Sequence, residues 1–223
     1  TFDVFGTVMD LSSSLSKPLE KLLQGKENAL DASQMWSQWR ARQRLEQFQD
    51  SLLMMGHSGY LETCRRALVY CLEDNNIEAT DMDVDRVIGS FRDLIPFDGA
   101  TRALRRLKER FAVMALSNGD QWLLEHIAEK RINFEFNRLI SVESVGYFKP
   151  HPAVYRYTAR VLHSDPAELM MVSSHDFDVV GARACGYKAA YVNRYDLPLG
   201  ESIYRPDIVA KDFEDLADQL LDN

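Results

Sequence analysis

The chain has 223 residues, of which 46% are hydrophobic and 27% charged, and its formal net charge at pH 7 is −8. A chain of this length buries roughly 70% of the surface that its unfolded form exposes, so we expect one large core or a core with a smaller appendage. The composition excludes disordered and collagen-like proteins, and the acidic balance argues against an extended nucleic-acid interface, which needs a basic face. No apolar run approaches the roughly 18 residues of a membrane span, and no secretory signal is visible. We therefore expect a soluble protein with no nucleic-acid or membrane partner.

The cysteines bear on the environment of the protein. Cys64, Cys71 and Cys185 are odd in number and lack Cys-x-x-Cys spacing. That pattern fits neither a disulfide framework nor a thiolate metal site, so we expect a reducing, cytoplasmic location. Because the chain begins at Thr1 with a very short apolar run, we also expect that residues precede it in the full protein.

The predicted elements change in character along the chain. A short apolar run at 2–5 predicts a strand, whereas residues 11–92 have helical periodicity, clearest at 33–53 and 59–74, and contain no convincing strand. After residue 96, short apolar strands alternate with helices. Strands are predicted at 111–116, 139–142, 169–173 and 189–193, and helices at 100–110, 121–130, 152–163 and 178–186.

This alternation predicts an α/β fold, because strands separated by helices form a parallel sheet with right-handed crossovers. We predict a Rossmann-like parallel-sheet core of residues 1–10 and 96–223, with an inserted helical cap of residues 11–95. Ligands of such sheets bind beyond the carboxyl ends of the strands. The polar residues that follow the apolar runs are Asp3, Thr7, Ser117, Asn118, Lys149, Ser173, Ser174, His175 and Asp178.

Four short motifs follow one another in order. They are Asp3-Val4-Phe5-Gly6-Thr7-Val8, Leu116-Ser117-Asn118-Gly119, Lys149-Pro150, and a strand ending before Asp178. This order resembles the haloacid dehalogenase superfamily, which places a helical cap just after the first motif. Any one motif is weakly specific, but the four together span nearly the whole chain.

Most members of that superfamily are magnesium-dependent phosphatases, which resemble one another in two further acids. One Asp stands two residues after the nucleophile, and another stands four residues before the last acid. Phe5 and Ser174 occupy these positions here. A hard cation needs several oxygen ligands, and protonation of the leaving group needs a titratable side chain. Phosphoryl transfer is therefore disfavoured, and we expect no metal and no other cofactor.

The same departures match a different branch, the L-2-haloacid dehalogenases. This chain has Trp39-Arg40 on a predicted cap helix, a Lys-Pro-x-Pro-x-x-Tyr pattern at 149–155, and a segment at 173–183 similar to that branch's Ser-Ser-Asn-x-Trp-Asp-x-x-Gly-Ala-Arg. His175 stands where the branch usually has Asn, and Phe177 stands where it often has Trp. The resemblance implies metal-independent hydrolysis of short L-2-haloalkanoic acids to 2-hydroxy acids and halide, through a covalent aspartyl ester.

The resemblance also implies roles for individual residues. Asp3 would displace halide from the α-carbon, and Lys149 would hold the Asp3 charge and offset the oxyanion during ester hydrolysis. Asp178 would orient Lys149 or position the hydrolytic water, while Ser117 and backbone amides near Phe5 would bind the substrate carboxylate. The predicted catalytic set is Asp3, Thr7, Ser117, Lys149, His175 and Asp178, and the predicted substrate-binding set is Phe5, Arg40, Asn118, Tyr155, Ser173, Ser174 and Phe177.

Arg40 would reach down from the cap to receive the departing halide, together with Asn118 and the edge of Phe177. The competing interpretation is an exposed, ion-paired arginine, because Arg42 and Arg44 lie on the same predicted helix. Closing a cap over the site would remove water from the nucleophile and the leaving group.

The sequence leaves two alternative roles each for His175 and Tyr155. An imidazole titrating near neutrality at His175 would act as general base toward the water that attacks the ester, whereas a structural histidine would bond to a loop carbonyl. Tyr155 either packs in the core of its helix or donates a hydrogen bond into the site.

Other functions also stay open from the residues alone. The same Asp3 chemistry would open a strained ring such as azetidine-2-carboxylate, in which case His175 would protonate the leaving nitrogen. A magnesium phosphatase with relocated ligands is a less favoured alternative. A catalytically silent ligand-binding relative is opposed by the intact set of charged residues, which would be costly to desolvate. Exposed apolar faces on the cap helices would suit a homodimer.

Overall fold

A computed structural model describes residues 1–27, 30–54 and 56–222. Helices alternate with parallel strands after residue 96, and the prediction of an α/β fold is confirmed. The parallel strands are β3 (Met114–Ser117), β4 (Arg138–Ser141), β5 (Met170–Ser173), β6 (Lys188–Val192) and β7 (Ile208–Ala210). β3 pairs with β4, and β5, β6 and β7 pair in that order.

The first residues join the two halves of the sheet. Phe2 forms parallel bridges to Ala115 of β3 and to Val172 of β5. The Asp3 N–H donates to the Val172 carbonyl at 2.9 Å. The predicted strand at 2–5 is thus reduced to isolated bridges, because the chain turns at Gly6, whose φ is +91°. Asp3 consequently lies in the middle of the sheet, at its carboxyl edge.

A helical segment leaves and rejoins the core through one pair of short strands. β1 (Met9–Asp10) and β2 (Ile95–Pro96) run antiparallel, with Met9 opposite Pro96. Asp10 then caps the first helix by accepting a hydrogen bond from Ser13 N. We call the four helices between these strands the helical insert. They are α1 (Leu11–Leu23), α2 (Ala32–Leu53), α3 (Tyr60–Asp74) and α4 (Asp81–Gly89), the last followed by a 3₁₀ turn (Ser90–Asp93).

The remaining helices pack around the sheet. They are α5 (Ala100–Lys108), α6 (Gln121–His126, continued by a π-helical stretch, Ile127–Ile132), α7 (Pro152–Leu162), α8 (Asp176–Ala184) and α9 (Phe213–Leu221), with 3₁₀ turns at Val142–Ser144 and Pro166–Glu168. β7 and α9 are additions to the predicted elements, since the sequence interpretation ended at residue 193. α9 buries Phe213, Leu216 and Ala217, an i, i+3, i+4 pattern typical of an amphipathic helix. No described helix is both long enough and apolar enough to cross a membrane.

A chain of aromatic contacts links the sheet to the helical insert. Phe5 stacks on Tyr60 of α3 with ring centres 4.7 Å apart, and Tyr60 meets Phe91 edge-on at 5.9 Å. Phe91 in turn contacts Trp39 of α2 at 6.0 Å. All four side chains are buried in one continuous apolar cluster. The insert is therefore packed against the carboxyl edge of the sheet, where Asp3 lies.

Candidate active site

The carboxyl ends of the central strands bring the predicted polar residues together. The predicted site residues other than Ser117 belong to one network of direct contacts centred on Asp3. Ser117, at the end of β3, joins it indirectly, because its Oγ accepts a hydrogen bond at 3.0 Å from Gly119 N. Gly119 packs so closely on the Phe5 ring that a Cβ there would overlap it.

Lys149 lies between two carboxylates. Its Nζ donates to Asp3 Oδ1 at 3.0 Å and to Asp178 Oδ2 at 2.7 Å, and Tyr155 Oη donates to Asp178 Oδ1 at 2.7 Å. The Lys149 side chain is only 1% exposed, and both acids are buried. We call Asp3, Lys149, Asp178 and Tyr155 the charged cluster. Short contacts among all four groups offset the cost of desolvating them.

Burial and charge act in opposite directions on these groups. For Asp3, burial raises the pKa, but the Lys149 ammonium, the nearby His175 and the Thr7 hydroxyl outweigh it, so the pKa of Asp3 falls below its usual value. For Asp178, burial is the larger effect and raises the pKa despite Lys149. Burial would lower the pKa of Lys149, but the two carboxylates raise it. Asp3 is thus an ionised carboxylate held against a fixed cation.

Thr7 fixes the second oxygen of Asp3. Its Oγ1 donates to Asp3 Oδ2 at 2.6 Å and accepts from Ser174 N at 2.9 Å, so the hydroxyl joins two strand ends. Ser174 Oγ is buried and has no hydrogen-bond partner among the described residues. Ser173 Oγ accepts from His175 N at 3.1 Å and shapes the turn into α8.

Backbone donors also face this region. The N–H groups of Val4 and Phe5 follow Asp3 directly, and neither donates a hydrogen bond to another described residue. Unpaired N–H groups beside a carboxylate are suited to binding an oxyanion.

Asn118 connects Lys149 to the helical insert. Its Oδ1 accepts from Lys149 N at 2.9 Å, and its Nδ2 donates to Gln47 Oε1 of α2 at 3.2 Å. The amide therefore uses both its acceptor and one donor to position neighbouring groups. A contact of Asn118 with a departing halide, as expected above, stays a prediction.

His175 is held as a neutral imidazole. Its Nε2 lies 3.1 Å from the Phe5 carbonyl oxygen, which can only accept, so Nε2 carries the proton; Asp3 Oδ2 is 3.7 Å away. Burial is the largest effect on His175 and, with the Arg40 and Arg44 charges, lowers its pKa to about 4 despite Asp3. Burial thus opposes the expectation that His175 titrates near neutrality, because desolvation of the charged form outweighs attraction to Asp3.

Arg40 reaches the site from α2. Its Nη2 is 3.5 Å from the Phe5 carbonyl oxygen and 3.4 Å from His175 Nε2, and its Nη1 donates to Gln43 Oε1. No carboxylate in the described chain lies within ion-pairing distance of Arg40. Arg42, by contrast, pairs with Glu46 and lies over the Tyr70 ring. Ion pairing thus fits Arg42, which is half-buried, and not Arg40.

Phe177 forms an aromatic wall beside the imidazole. Its ring is parallel to that of His175, with centres 5.4 Å apart, and it meets Phe48 of α2 edge-on at 5.9 Å. The His175 ring also lies close to the backbone at Gly6. A glycine is needed there, since a Cβ would lie 2.9 Å from His175 Nε2.

Two glutamines of α2 take part in the network although the sequence interpretation missed them. Gln43 and Gln47 are buried; Gln43 Nε2 donates to Cys64 Sγ at 2.8 Å, and Gln47 accepts from Asn118. They share one helix face with Trp39 and Ser51, each four residues from the next. The signal was present: polar residues continue the buried stripe that Trp39 begins.

Asp120 was also missed, and it ties the core to α3. Its Oδ1 accepts from Tyr60 N at 2.8 Å and its Oδ2 accepts from Leu61 N at 3.1 Å. The carboxylate thus satisfies two N–H groups at the start of α3. Sequence spacing could not reveal this contact, because 59 or 60 residues separate the partners.

The residues present do not fit a magnesium site of the phosphatase kind. Among the described residues, no group of three or more His, Cys, Asp or Glu side chains is placed to hold a metal ion. The donor chemistry gives the reason: Phe5 and Ser174 replace the two additional acids, and Lys149 Nζ already bridges the remaining two carboxylates. A divalent cation between Asp3 and Asp178 would have to displace an ammonium group.

Known proteins resemble this chain along nearly its whole length. An (S)-2-haloacid dehalogenase, H-109, of Pseudomonas putida is 32% identical over 99% of this chain and 96% of its own. Haloacetate dehalogenase H-2 of Moraxella sp. (strain B) is 31% identical over 92% and 90%. The solved structure of L-2-haloacid dehalogenase from Xanthobacter autotrophicus with chloropropionic acid covalently bound superposes with a TM-score of 0.85 and 25% identity, over 99% of this chain and 96% of that one.

A family model also matches most of the chain. The model of haloacid dehalogenase-like hydrolases matches residues 1–186, which include the strand ends, the helical insert and the charged cluster. Together with relatives more than 30% identical over nine-tenths of the chain, this match means that the chain belongs to the haloacid dehalogenase-like hydrolase family.

Proposed function

We propose that this protein hydrolyses short L-2-haloalkanoic acids to 2-hydroxy acids and halide, through an ester on Asp3 and without a metal ion. The observation that carries the proposal is the position of Lys149 Nζ, 3.0 Å from Asp3 and 2.7 Å from Asp178 in a buried cluster. An ammonium group there supplies the fixed positive charge that a phosphatase of the same fold would take from a cation.

In the first step, an Asp3 oxygen attacks the α-carbon from the side opposite the halogen. A C–O bond forms as the carbon–halogen bond breaks, and the halide leaves with the electron pair. The lowered pKa of Asp3 keeps the nucleophile ionised, and Thr7 and Lys149 each hold one of its oxygens. In-line displacement inverts the α-carbon.

In the second step, water attacks the carbonyl carbon of the Asp3 ester, and the C–O bond on the Asp3 side breaks. The α-carbon is not touched again, so the inverted configuration is kept. Lys149 offsets the charge on the carbonyl oxygen. We assign the proton of the attacking water to Asp178, because it is the carboxylate that stays free beside Lys149 while Asp3 is an ester, and burial raises its pKa. Asp178 then gives that proton to the departing oxygen, which becomes the 2-hydroxy group of the product. His175 is a weaker candidate, since its Nε2 already carries the proton donated to Phe5.

Hydrogen-bond donors without a partner in the described chain would bind the substrate. The Val4 and Phe5 N–H groups and Ser174 Oγ are available to the substrate carboxylate, with Ser117 at the adjoining strand end. Arg40 is available to the leaving halide, since no acid neutralises it in the described chain. Phe177 limits the room beside the α-carbon. The helical insert acts as the cap in this proposal, because it carries Arg40 and excludes water.

The relatives support this assignment of chemistry. Two are named for dehalogenation of haloacetate or (S)-2-haloacids, and the Xanthobacter enzyme has been solved with chloropropionic acid covalently bound. This chain has an acid, a lysine and a second acid in contact at the corresponding edge of the same fold.

A panel of three substrates tests the proposal. We expect chloride release from (S)-2-chloropropionate, with no change on adding a chelator. Ring opening of azetidine-2-carboxylate without chloride release would favour the alternative electrophile. Magnesium-dependent release of phosphate from a phosphomonoester, abolished by chelator, would instead identify a phosphatase. Absence of turnover with all three substrates would contradict an Asp3-based hydrolase.

Isotope labelling tests the ester itself. Single turnover in water enriched in ¹⁸O places the label in the Asp3 carboxylate if water attacks the ester carbonyl. Mass spectrometry of the peptide that contains Asp3 detects it. Label found only in the 2-hydroxy acid would mean direct attack of water on the substrate carbon.

A further inference from the structure

α2 carries a second arginine to the site, one turn beyond Arg40. Arg44 follows Arg40 by four residues, which puts both side chains on the same face of the helix. The Arg44 Cζ atom is 5.7 Å from the centre of the Phe177 ring, which stacks on His175. Its guanidinium group therefore lies next to the aromatic wall of the site.

The Arg44 charge is not compensated in the described part of the chain. Its Nε is buried without a hydrogen-bond partner there, and no carboxylate is within ion-pairing distance. Asp176 attracts it from farther away, but Asp176 is exposed and its Oδ1 accepts from Phe177 N at 2.8 Å. Arg42, two residues earlier, has Glu46 at 2.6 Å. The arginines of α2 that face the site, Arg40 and Arg44, thus lack a carboxylate partner, whereas Arg42 on another face has one.

Two unpaired guanidinium groups one turn apart repel each other. Burial, and then the Arg40 charge, lower the pKa of Arg44 below its usual value. Like charges four residues apart destabilise a helix, and a buried N–H without a partner loses its hydration. An anion beside Arg44 would relieve both effects, so the arrangement is complementary to a bound anion that the protein itself does not supply.

We propose that Arg44 binds a second carboxylate of the substrate, so that the preferred substrates are short 2-halodicarboxylates such as 2-chlorosuccinate. This rests on the proposed function, in which Arg40 receives the halide and the donors near Asp3 hold the first carboxylate. The reaction balances as before: Asp3 displaces chloride at C2, and water cleaves the ester to give 2-hydroxysuccinate, chloride and a proton.

The chain length follows from the spacing of the two arginines. Four residues of helix separate their Cα atoms by about 6 Å along the axis. In an extended 2-chlorosuccinate, three bonds join the chlorine to the far carboxyl carbon, which puts the two groups about 4 Å apart. Arg40 on the halide and Arg44 on the far carboxylate would thus contact groups whose separation is of the same order as their own spacing. A second carboxylate two carbons from the reacting centre therefore suits this pair.

Paired kinetics test the inference. We compare chloride release from (S)-2-chlorosuccinate and (S)-2-chloropropionate in wild type, Arg44→Leu and the matched variant Arg42→Leu, which removes the same charge from the same helix. Hydrogen bonds to charged groups predict a wild-type kcat/KM at least about tenfold higher for the diacid. Arg44→Leu should lower that value about ten- to a hundredfold, with chloropropionate unchanged within about threefold. Arg42→Leu should leave the ratio unchanged.

The outcomes separate this inference from the proposed function. Chloride release from chloropropionate but not from chlorosuccinate overturns the inference alone, as does an equal loss for both substrates in Arg44→Leu. No chloride from either substrate overturns the proposed function. Calorimetric titration with succinate and propionate measures binding at Arg44 without turnover. Succinate should bind to wild type more tightly than propionate does, and the two affinities should become similar in Arg44→Leu. Equal affinities in wild type overturn the inference.

Discussion

The two sides of the site treat charge in opposite ways. On the sheet side, Lys149 contacts Asp3 and Asp178 at 3.0 and 2.7 Å, so each buried charge has a partner within the protein. On the side of the helical insert, Arg40 and Arg44 have no carboxylate within ion-pairing distance in the described chain. Both sides are close to His175, which Arg40 Nη2 approaches at 3.4 Å and Asp3 Oδ2 at 3.7 Å.

This difference in charge pairing predicts that the sheet side contributes to the stability of the fold and that the insert side contributes to anion binding. Charges that are paired within the protein contribute to the folded state, and removing one member leaves its partners buried and unpaired. Charges that lack an internal partner contribute when an anion arrives, and removing one relieves repulsion in the free protein. Variants on the two sides should therefore differ in whether activity and stability fall together.

The largest effect is expected for Asp3→Asn. An amide is not a competent nucleophile, so chloride release from 2-chloropropionate should fall by a factor of about 10⁴ or more. Asp85→Asn, in the exposed Arg65–Asp85 pair of the insert, should keep its activity within about twofold, because surface pairs contribute little. Retention of more than about a hundredth of the wild-type rate by Asp3→Asn would exclude this residue as the nucleophile.

Lys149→Met should abolish activity and also destabilise the fold. It leaves the buried Asp3 and Asp178 carboxylates side by side without a cation, and loss of a buried partner costs about 3–5 kcal/mol. Urea unfolding measures the change, with the exposed Lys130→Met as a control expected to stay within about 0.5 kcal/mol. An unfolding free energy equal to that of wild type would mean that the charged cluster is not paired as described.

Arg40→Gln should lower activity without lowering stability. We expect kcat for chloride release to fall about a hundredfold, since a leaving anion loses its cationic partner. The unfolding free energy should change by less than about 0.5 kcal/mol or rise, because Arg40 has no acid to leave unpaired. A loss of stability as large as that of Lys149→Met would show that the two sides are not different.

The smallest effect concerns pH and His175. Because its folded pKa, about 4, lies below the ordinary value of about 6.5, the residue is neutral from pH 5 to 8. The single-turnover rate of ester hydrolysis should therefore be flat over that range in both wild type and His175→Asn. The neutral form also stabilises the fold fully above about pH 6.5, and that contribution is lost as the pH falls from there through about 4. A rate that rises between pH 6 and 7 in wild type alone would restore His175 as a base that titrates near neutrality.

Most of the fold was predictable because strands and helices leave local periodic signals. β3 was expected from residue 111 but begins at Met114, since Phe111 and Ala112 are exposed and do not pair with β4. The strand at 2–5 was overestimated, because Gly6 turns the chain and only Phe2 bridges to neighbouring strands of the sheet. β7 went unnoticed: it is three residues long, and its place depends on pairing with β6.

The residues predicted from the sequence lie mostly on the sheet side of the candidate site, and few were predicted on the insert side. Asp3, Lys149 and Asp178 follow strands or a loop in a recognisable order, and parallel strands bring such residues to one edge. Gln43 and Gln47 continue the four-residue spacing that begins at Trp39, but neither they nor Arg44 belong to a functional motif. Which face of α2 meets the sheet depends on how Trp39 and its neighbours pack, so the spacing alone did not assign these residues to the site.

The sequence by itself determined the order of the elements, the family resemblance and the candidate nucleophile with its lysine, because each depends on local pattern or on residues at fixed positions in a motif. The tertiary structure alone decided the electrostatics. His175 is neutral because burial outweighs the attraction of Asp3, and Arg44 is unpaired because α2 turns it away from the acids that pair with Arg42. Desolvation and pairing depend on distances between residues far apart in the chain, and those distances exist only once the chain has folded.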